Sequence, residues 1–223
     1  MTDLIAERIA NIRQQLPTQV RLIAISKQVS VEAMREAYAA GVRDFGESRI
    51  QEAEGKIAQL RDLPDLTWHL IGHLQSNKAK KALEKFQWIH SCDSLELALR
   101  LNRIATELSL SPKVCLQVKI LPDPSKYGWS VPQLLGDLAE LEQCQALQIR
   151  GLMTILPLGL SPEESFEVFE RTRELVDKIR QQNWSHLQMQ ELSMGMSSDY
   201  PLAVQAGATM IRVGRTIFGE RTA

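Results

Sequence analysis

The chain alternates short apolar segments with amphipathic segments about eight times, and this alternation constrains its fold more than any other feature. The apolar segments are rich in leucine or β-branched residues, as buried strands are, and cover residues 20–27, 42–45, 68–72, 88–91, 113–120, 149–155, 190–194 and 210–214. Three- and four-residue apolar spacing predicts helices between them, over residues 31–40, 50–60, 77–85, 94–108, 132–141, 162–181 and 200–206. Parallel strands joined by helical crossovers follow from this alternation.

Residues with strong capping preferences lie at the ends of several of these predicted helices. Ser30 and Ser161 precede two helix starts, and Asp93 precedes a third; side chains of this type accept hydrogen bonds from the first turn. Gly41 and Gly207 directly follow two predicted helix ends, where glycine commonly terminates a helix.

Eight strand–helix units within 223 residues favour one α/β domain over residues 1–223, folded as a (β/α)8 TIM-type barrel. An open doubly wound sheet is the alternative, but such a sheet normally carries a glycine-rich fingerprint after its first strand. The first predicted strand runs instead into Ser26, Lys27 and Gln28. A dinucleotide site is therefore not expected there.

The composition excludes several other classes of protein. A formal charge of −1, from 26 Lys and Arg against 27 Asp and Glu, provides no basic surface typical of nucleic-acid or acidic-membrane binding. Three widely spaced cysteines indicate neither a disulfide framework nor a zinc site, and His69 and His73 lack a third metal ligand nearby. An amphipathic start without a signal peptide or membrane span predicts a cytoplasmic protein.

In a barrel of this kind the functional site lies where the strands end, at their C-terminal face. Lys27 follows the apolar run of the first strand, which would deliver its amine to this face. Apolar surroundings lower the pKa of an amine, which can then attack a carbonyl and form a Schiff base. The alternative is a lysine that simply leaves the strand into solvent.

Two loops after the last two predicted strands resemble a phosphate cradle. Ser197 and Ser198 precede the helix that starts near residue 200, while Gly214 and Thr216 follow the last strand. Backbone N–H groups and hydroxyls in such loops bind anions, and barrels commonly place phosphate after strands seven and eight. We therefore expect a phosphate-bearing ligand, although the serines alone would also serve as a helix cap.

Strand alternation predicts that Met210 and Arg212 share one face of the last strand, with Ile211 and Val213 on the other. If the first pair points into the barrel, the Arg212 guanidinium lies beneath the ligand. It would then hydrogen-bond to a ring nitrogen or form a structural ion pair.

Several of these segments together resemble the pyridoxal 5′-phosphate (PLP) homeostasis proteins, the YggS/PROSC family. The matching segments are 24–27 (AISK), 45–52 (FGESRIQE), 68–78 (WHLIGHLQSNK), 151–154 (GLMT), 192–199 (LSMGMSSD) and 207–219 (GATMIRVGRTIFG). The resemblance spans nearly the whole chain and implies a PLP-binding barrel like the N-terminal domain of alanine racemase.

The resemblance also implies roles for individual residues. Lys27 would hold PLP as an internal aldimine, and Arg212 would face the pyridine nitrogen. The phosphate would be held, partly by backbone N–H groups, by Ser197, Ser198, Gly214, Arg215 and Thr216. The pocket wall would include Met153, Asn77 and His90. Ser48 departs from the asparagine common in the family, which removes an expected amide contact to the cofactor.

The resemblance implies intracellular homeostasis of PLP and of amino and keto acids, without established catalysis. A chain of 223 residues has no length for the additional β-domain that completes the alanine racemase site, and an arginine at the ring nitrogen makes PLP a weaker electron sink. The alternatives are a weak PLP-dependent racemase or lyase and a sugar-phosphate barrel enzyme that uses Lys27 as its base. Apo PLP-enzymes are the expected partners, and the protein is expected to be a monomer.

Overall fold

The structure, a computed structural model, describes residues 2–220, and eight of its parallel strands close into a barrel. These strands pair in the order β1, β2, β3, β4, β5, β7, β8 and β9, and β9 returns to β1. Their bounds are β1 Arg21–Ile25, β2 Asp44–Glu47, β3 Thr67–Leu70, β4 Trp88–Cys92, β5 Lys113–Lys119, β7 Gln148–Met153, β8 Glu191–Ser193 and β9 Met210–Val213. A two-residue strand, β6 (Trp129–Ser130), pairs with the C-terminal end of β5 at Val118 and Lys119. The predicted TIM-type barrel is thus confirmed.

Helices follow the strands and cover the outside of the barrel. Their bounds are α1 Thr2–Gln15, α2 Val31–Ala39, α3 Ile50–Gln59, α4 Ala79–Lys85, α5 Leu95–Glu107, α6 Val131–Gly136, α7 Leu138–Glu142, α8 Pro162–Arg180, α9 Tyr200–Gln205 and α10 Arg215–Phe218. A 3₁₀ turn, Ser76–Lys78, begins the segment predicted as helix 77–85. The segment predicted as helix 132–141 divides into α6 and α7 after Gly136, because glycine weakens a helix interior.

The predicted helix boundaries are mostly confirmed, with one correction. Ser30 accepts a hydrogen bond from Ala33 N, and Ser161 forms a capping box with Glu164. Asp93 does not cap α5, because Ser94 takes that role by accepting from Leu97 N. The Asp93 carboxylate instead pairs with a neighbouring loop. Gly41 and Gly207 follow the ends of α2 and α9, and each adopts a positive φ angle, 87° and 100° respectively.

Alternation along the strands separates two layers of apolar side chains. The outer layer packs between strands and helices and includes Phe45, Leu116, Ile211 and Val213. A smaller inner cluster fills the barrel with Ile23, Ile25, Trp88, Cys115, Met153 and Met210. The predicted division of β9 into an inner face with Met210 and an outer face with Ile211 is therefore confirmed.

Cys92, Cys115 and Cys144 are free and buried, and burial raises the pKa of each thiol, which makes them unreactive. None of the helices within residues 2–220 combines the length and apolar character that a membrane crossing requires.

Close approach of β7 and β8 requires glycine at position 151. A Cβ atom added to Gly151 would lie 1.8 Å from the backbone oxygen of Glu191. We expect Gly151→Ala to lower the free energy of unfolding by at least about 2–3 kcal/mol, because neither strand can move without breaking the ladder. Urea denaturation measures this change.

Gly55 provides the matched control. It lies inside α3, and an added Cβ would meet no atom within 4 Å. Gly55→Ala should stabilise the protein by about 0.5–1 kcal/mol, since alanine is the better helix former. Equal effects of the two substitutions would contradict the packing argument.

Candidate functional site

A cavity of about 350 Å³ lies at the C-terminal end of the barrel. Residues after β1, β2, β3, β7, β8 and β9 converge on it, because parallel strands end at the same face. The lining consists of Ile25, Lys27, Ser48, Ile71, Gly72, Ile155, Met196, Ser197, Ser198, Arg212, Gly214 and Arg215. The cavity therefore gathers one lysine from the first strand, one arginine from the last, and both of the predicted anion-binding loops.

Arg212 enters this cavity from the barrel interior, where it is only 4% exposed. Its Nη1 donates to the backbone oxygen of Ser193 at 2.6 Å and to Ser193 Oγ at 2.7 Å, and its Nη2 donates to Thr154 O at 2.8 Å. All three acceptors are neutral, so the guanidinium forms hydrogen bonds rather than the ion pair that the sequence left open. Burial lowers the pKa of Arg212 to about 10, and the group remains a cation at neutral pH.

Only part of the donor capacity of Arg212 is used by the protein. A guanidinium carries five N–H groups, and the hydrogen bonds among residues 2–220 engage three of them. The two remaining N–H groups are the one on Nε and the second one on Nη2. The cavity thus contains a positive group that can donate to a ligand and cannot accept from it.

The two serine- and glycine-containing loops contact each other. Gly214 N donates to Ser197 Oγ at 3.3 Å, which links the loop after β8 to the loop after β9. Asp199 turns the first loop by accepting from Met196 N at 2.5 Å. Neither serine caps α9, whose N-cap residue is Asp199 without a side-chain cap bond. The helix-cap alternative for the two serines is therefore not what the geometry shows.

The backbone on both sides of Lys27 is held by a group of buried and half-buried polar side chains, which we call the Glu47–Lys56 cluster (Ser26, Glu47, Glu52 and Lys56). Lys56 Nζ donates to Ser26 O at 2.6 Å, to Glu47 Oε1 at 2.8 Å and to Glu52 Oε1 at 2.6 Å. Ser26 Oγ donates to Glu47 Oε1 at 2.7 Å.

The residue after Lys27 is held by the same cluster. Gln28 N donates to Glu52 Oε1, and Gln28 adopts a φ of 58°, which is unusual for a residue other than glycine. Residues 26 and 28 are thus tied down on either side of Lys27, which itself lines the cavity and is half-buried. Burial raises the pKa of the Glu47 carboxyl against the hydrogen bonds from Lys56 and Ser26.

Comparison with known proteins places the chain in a family. Residues 2–222 match the family model described as the N-terminal domain of alanine racemase. A relative from Synechocystis sp. (strain ATCC 27184 / PCC 6803 / Kazusa), named pyridoxal phosphate homeostasis protein, is 52% identical over 92% of this chain and 94% of its own length. The chain belongs to the pyridoxal phosphate homeostasis protein family. The resemblance stated from the sequence is therefore confirmed.

Solved structures of relatives agree with this assignment. PipY of Synechococcus elongatus PCC7942, solved with PLP bound, is 59% identical to this chain. The match has a TM-score of 0.92 and covers 96% of this chain and all of PipY. An alanine racemase of Clostridium difficile 630 is only 16% identical, with a TM-score of 0.78 over 99% of this chain and 58% of its own. That second likeness establishes the barrel fold alone.

Four residues that the family resemblance placed at the cofactor are not in the cavity lining. Met153 and His90 point into the barrel interior and are fully buried, as strand alternation requires. Asn77 lies exposed in the 3₁₀ turn, and Thr216 lies exposed in the first turn of α10. Their contact with a ligand stays a prediction that the cavity itself does not support.

The structure also shows residues that the sequence argument missed. Lys56 and Glu52 belong to α3, well away from Lys27 in the sequence, and nothing in their local pattern indicates contacts with its neighbours Ser26 and Gln28. Glu47 could have been identified from the sequence, because a carboxylate at the end of a buried strand needs a partner. Ser48, noted as a departure from the family, lines the cavity.

Other candidate sites are less favourable. Among residues 2–220 no group of three or more His, Cys, Asp or Glu side chains is placed to hold a metal ion. His69 lies inside the barrel, whereas His73 pairs outside it with Asp93 at 2.9 Å. A larger cavity of about 680 Å³ lies beside α8 and contains Lys119, but none of the predicted site residues lines it.

The Glu47–Lys56 cluster leads to a prediction about stability. Lys56→Met leaves the Glu47 carboxyl, which is fully buried, without a cation. We expect the free energy of unfolding to fall by about 3 kcal/mol, the usual cost of breaking a buried ion pair from one side. Chemical denaturation at pH 7 measures the change.

Lys81→Met is the control for the same chemical change at the surface. Lys81 lies 3.7 Å from Glu54, and its side chain is 56% exposed. Loss of such a pair costs at most about 1 kcal/mol. A Lys56→Met variant as stable as Lys81→Met would refute a structural role for the cluster.

Proposed function

We propose that this protein binds PLP in the cavity at the barrel mouth and acts in the intracellular homeostasis of PLP and of amino and keto acids. The observation that carries the proposal is the convergence of Lys27, Arg212 and the two linked loops in one cavity. PLP has an aldehyde, a pyridine nitrogen and a phosphate, and the three parts of the site match these groups one to one. The 59% identical PipY structure with PLP bound supports the same conclusion.

Lys27 supplies the amine for the aldehyde. When bound, PLP provides an aldehyde carbon and an electron-withdrawing ring. The Lys27 nitrogen attacks that carbon, one water molecule leaves, and a carbon–nitrogen double bond remains as a Schiff base. The Glu47–Lys56 cluster holds residues 26 and 28, so the amine reaches the cavity from a fixed backbone.

Arg212 supplies donors for the ring nitrogen. A guanidinium cannot accept a hydrogen bond, so the nitrogen opposite it must accept one and stays unprotonated. An unprotonated ring withdraws electrons weakly. This arrangement favours retention of PLP over catalysis on it, in keeping with relatives named as homeostasis proteins.

The linked loops supply the phosphate site. We assign the phosphate to the Ser197 and Ser198 hydroxyls and to the backbone N–H groups of Gly214, Arg215 and Thr216. Ser197 Oγ already contacts Gly214 N, so an anion placed between the loops would meet donors from both. The exposed Arg215 side chain adds positive charge at the cavity rim.

We infer that the protein is a cytoplasmic monomer without enzymatic turnover, and that apo PLP-enzymes are its partners. The competing function is that of a PLP-dependent racemase or lyase of low activity. The match to the alanine racemase family model favours this alternative.

Absorbance spectroscopy tests the covalent link. The purified protein mixed with PLP should turn yellow, with a band at about 420 nm from the Schiff base. Lys27→Ala should abolish this band. Lys119→Ala is the matched control, because Lys119 also ends a strand but lies in the other cavity, and it should keep the band. A yellow Lys27→Ala protein would overturn the assignment.

The same loaded protein then distinguishes a homeostasis protein from an enzyme. We expect no racemisation or elimination when it is incubated with a panel of amino acids. Turnover at about 1–1000 per second, the usual range for enzymes, would establish the competing function instead.

The phosphate assignment is tested by removing both hydroxyls. Ser197→Ala with Ser198→Ala should weaken PLP retention on dialysis while leaving the melting temperature nearly unchanged. Ser161→Ala removes a genuine helix cap and should do the reverse, at a cost of about 1 kcal/mol in stability. If the double variant melts earlier but keeps PLP, the serines have only a structural role.

A further inference from the structure

A chain of hydrogen bonds runs through the barrel interior from the cavity floor to the opposite end of the strands. It begins at Arg212, whose Nη1 lies 2.7 Å from Ser193 Oγ. Ser193 Oγ lies 2.8 Å from His90 Nδ1, and His90 Nε2 lies 2.9 Å from His69 Nδ1. His69 Nε2 lies 2.9 Å from Asp44 Oδ1, at the start of β2. Both histidines and Ser193 are fully buried.

The two ends of this chain determine its direction. The Asp44 carboxylate accepts, so His69 donates from Nε2, and a neutral His69 must then accept at Nδ1. His90 therefore donates from Nε2 and accepts at Nδ1. Ser193 must donate its O–H to His90, which leaves its oxygen to accept from Arg212. Only one set of tautomers satisfies every link, with both histidines protonated at Nε2.

The surroundings keep both rings neutral. Arg212 lies on the cavity side, and on the other side Arg21 from β1 and Lys113 from β5 each lie 5.4 Å from the Trp88 ring, which stacks on His69. Asp44, 3.9 Å from Arg21, is the carboxylate that opposes these cations at the histidines. Burial and the nearby positive charges lower the pKa of His90, and burial lowers that of His69 despite Asp44.

We infer that His69 and His90 are positioning residues for Arg212. As neutral Nε2–H tautomers they orient the Ser193 hydroxyl so that its oxygen accepts from the guanidinium and never competes with it as a donor. Arg212 is thereby held with its remaining N–H groups directed into the cavity. The inference rests on the proposed function in one respect, namely that the group facing Arg212 is the pyridine ring of PLP.

Nuclear magnetic resonance of the cofactor-free protein tests the tautomers without any substitution. The chain has four histidines, and nitrogen chemical shifts distinguish the two neutral tautomers from the charged ring. We expect His69 and His90 as neutral Nε2–H tautomers at pH 7, because desolvation opposes their charging. An Nδ1–H tautomer or a charged ring at either interior position at pH 7 would overturn the inference.

The PLP-loaded protein provides the second readout. His90→Phe removes the acceptor of the Ser193 hydroxyl while preserving a ring of similar size. Arg212→Ala removes the guanidinium itself and should shift the yellow band and weaken PLP binding. In His90→Phe we expect the band to remain but to shift in the same direction, and PLP affinity to fall about three- to tenfold, the effect of one misplaced hydrogen bond. His186→Gln is the control and should change neither quantity.

Different results would overturn the proposed function and the positioning role of the histidines. If the unmodified protein does not turn yellow with PLP, the proposed function fails, whereas the tautomers measured without cofactor still decide the hydrogen-bond chain. If the unmodified protein is yellow and His90→Phe, shown to be folded by its melting curve, keeps the same band and affinity, the positioning role is wrong. A change in melting temperature alone would indicate a purely structural role and would likewise refute it.

Discussion

The parallel pairing of β1 with β9 is the constraint on which the site depends. It closes the barrel by joining the first strand to the last, with Ile23 opposite Arg212 in the register. Lys27 and Arg212 are separated by most of the sequence, yet this ladder delivers both to the same end of adjacent strands. The neighbouring strands, β2 and β8, then add the Glu47–Lys56 cluster on one side and the linked loops on the other. Every part of the proposed cofactor site is therefore within two strands of the closure.

Two buried cations, Lys56 and Arg212, lie near the pairing of β1 with β9, and the protein surrounds them with different acceptors. Lys56 is surrounded by carboxylates, so its charge is neutralised within the protein and serves to hold the backbone around Lys27. Arg212 has only neutral oxygens as acceptors, so its charge remains available to whatever occupies the cavity. Burying a cation without a counter-ion costs free energy. A bound group that accepts from Arg212 would recover part of that cost, which links the binding of a ligand to the stability of the barrel.

The sequence predicted the parts of the molecule whose pattern is local. The eight strands, the caps at Ser30 and Ser161, and the inner and outer faces of β9 followed from periodicity and from residue preferences over a few positions. The cap assigned to Asp93 was wrong because Ser94 occupies the capping position and Asp93 is drawn to His73, a contact between separate loops. The single helix predicted over 132–141 was divided by Gly136. Near the site, the alternation rule placed Arg212 correctly, whereas Met153 and His90, assigned through resemblance, point into the barrel away from the cavity lining.

The sequence by itself determined the order of strands and helices, the closed barrel they favour, and the lysine, arginine and paired loops at the strand ends, because each of these depends on spacing along the chain. Only the tertiary structure decided which partners the buried charges find. The contact of Lys56 with Ser26 and the line from Asp44 through His69 and His90 to Ser193 join strands and helices that are distant in sequence. The physical reason for these contacts is burial: polar groups enclosed in the fold must satisfy one another, and the closure of the sheet together with the packing of α3 against it determines which of them meet.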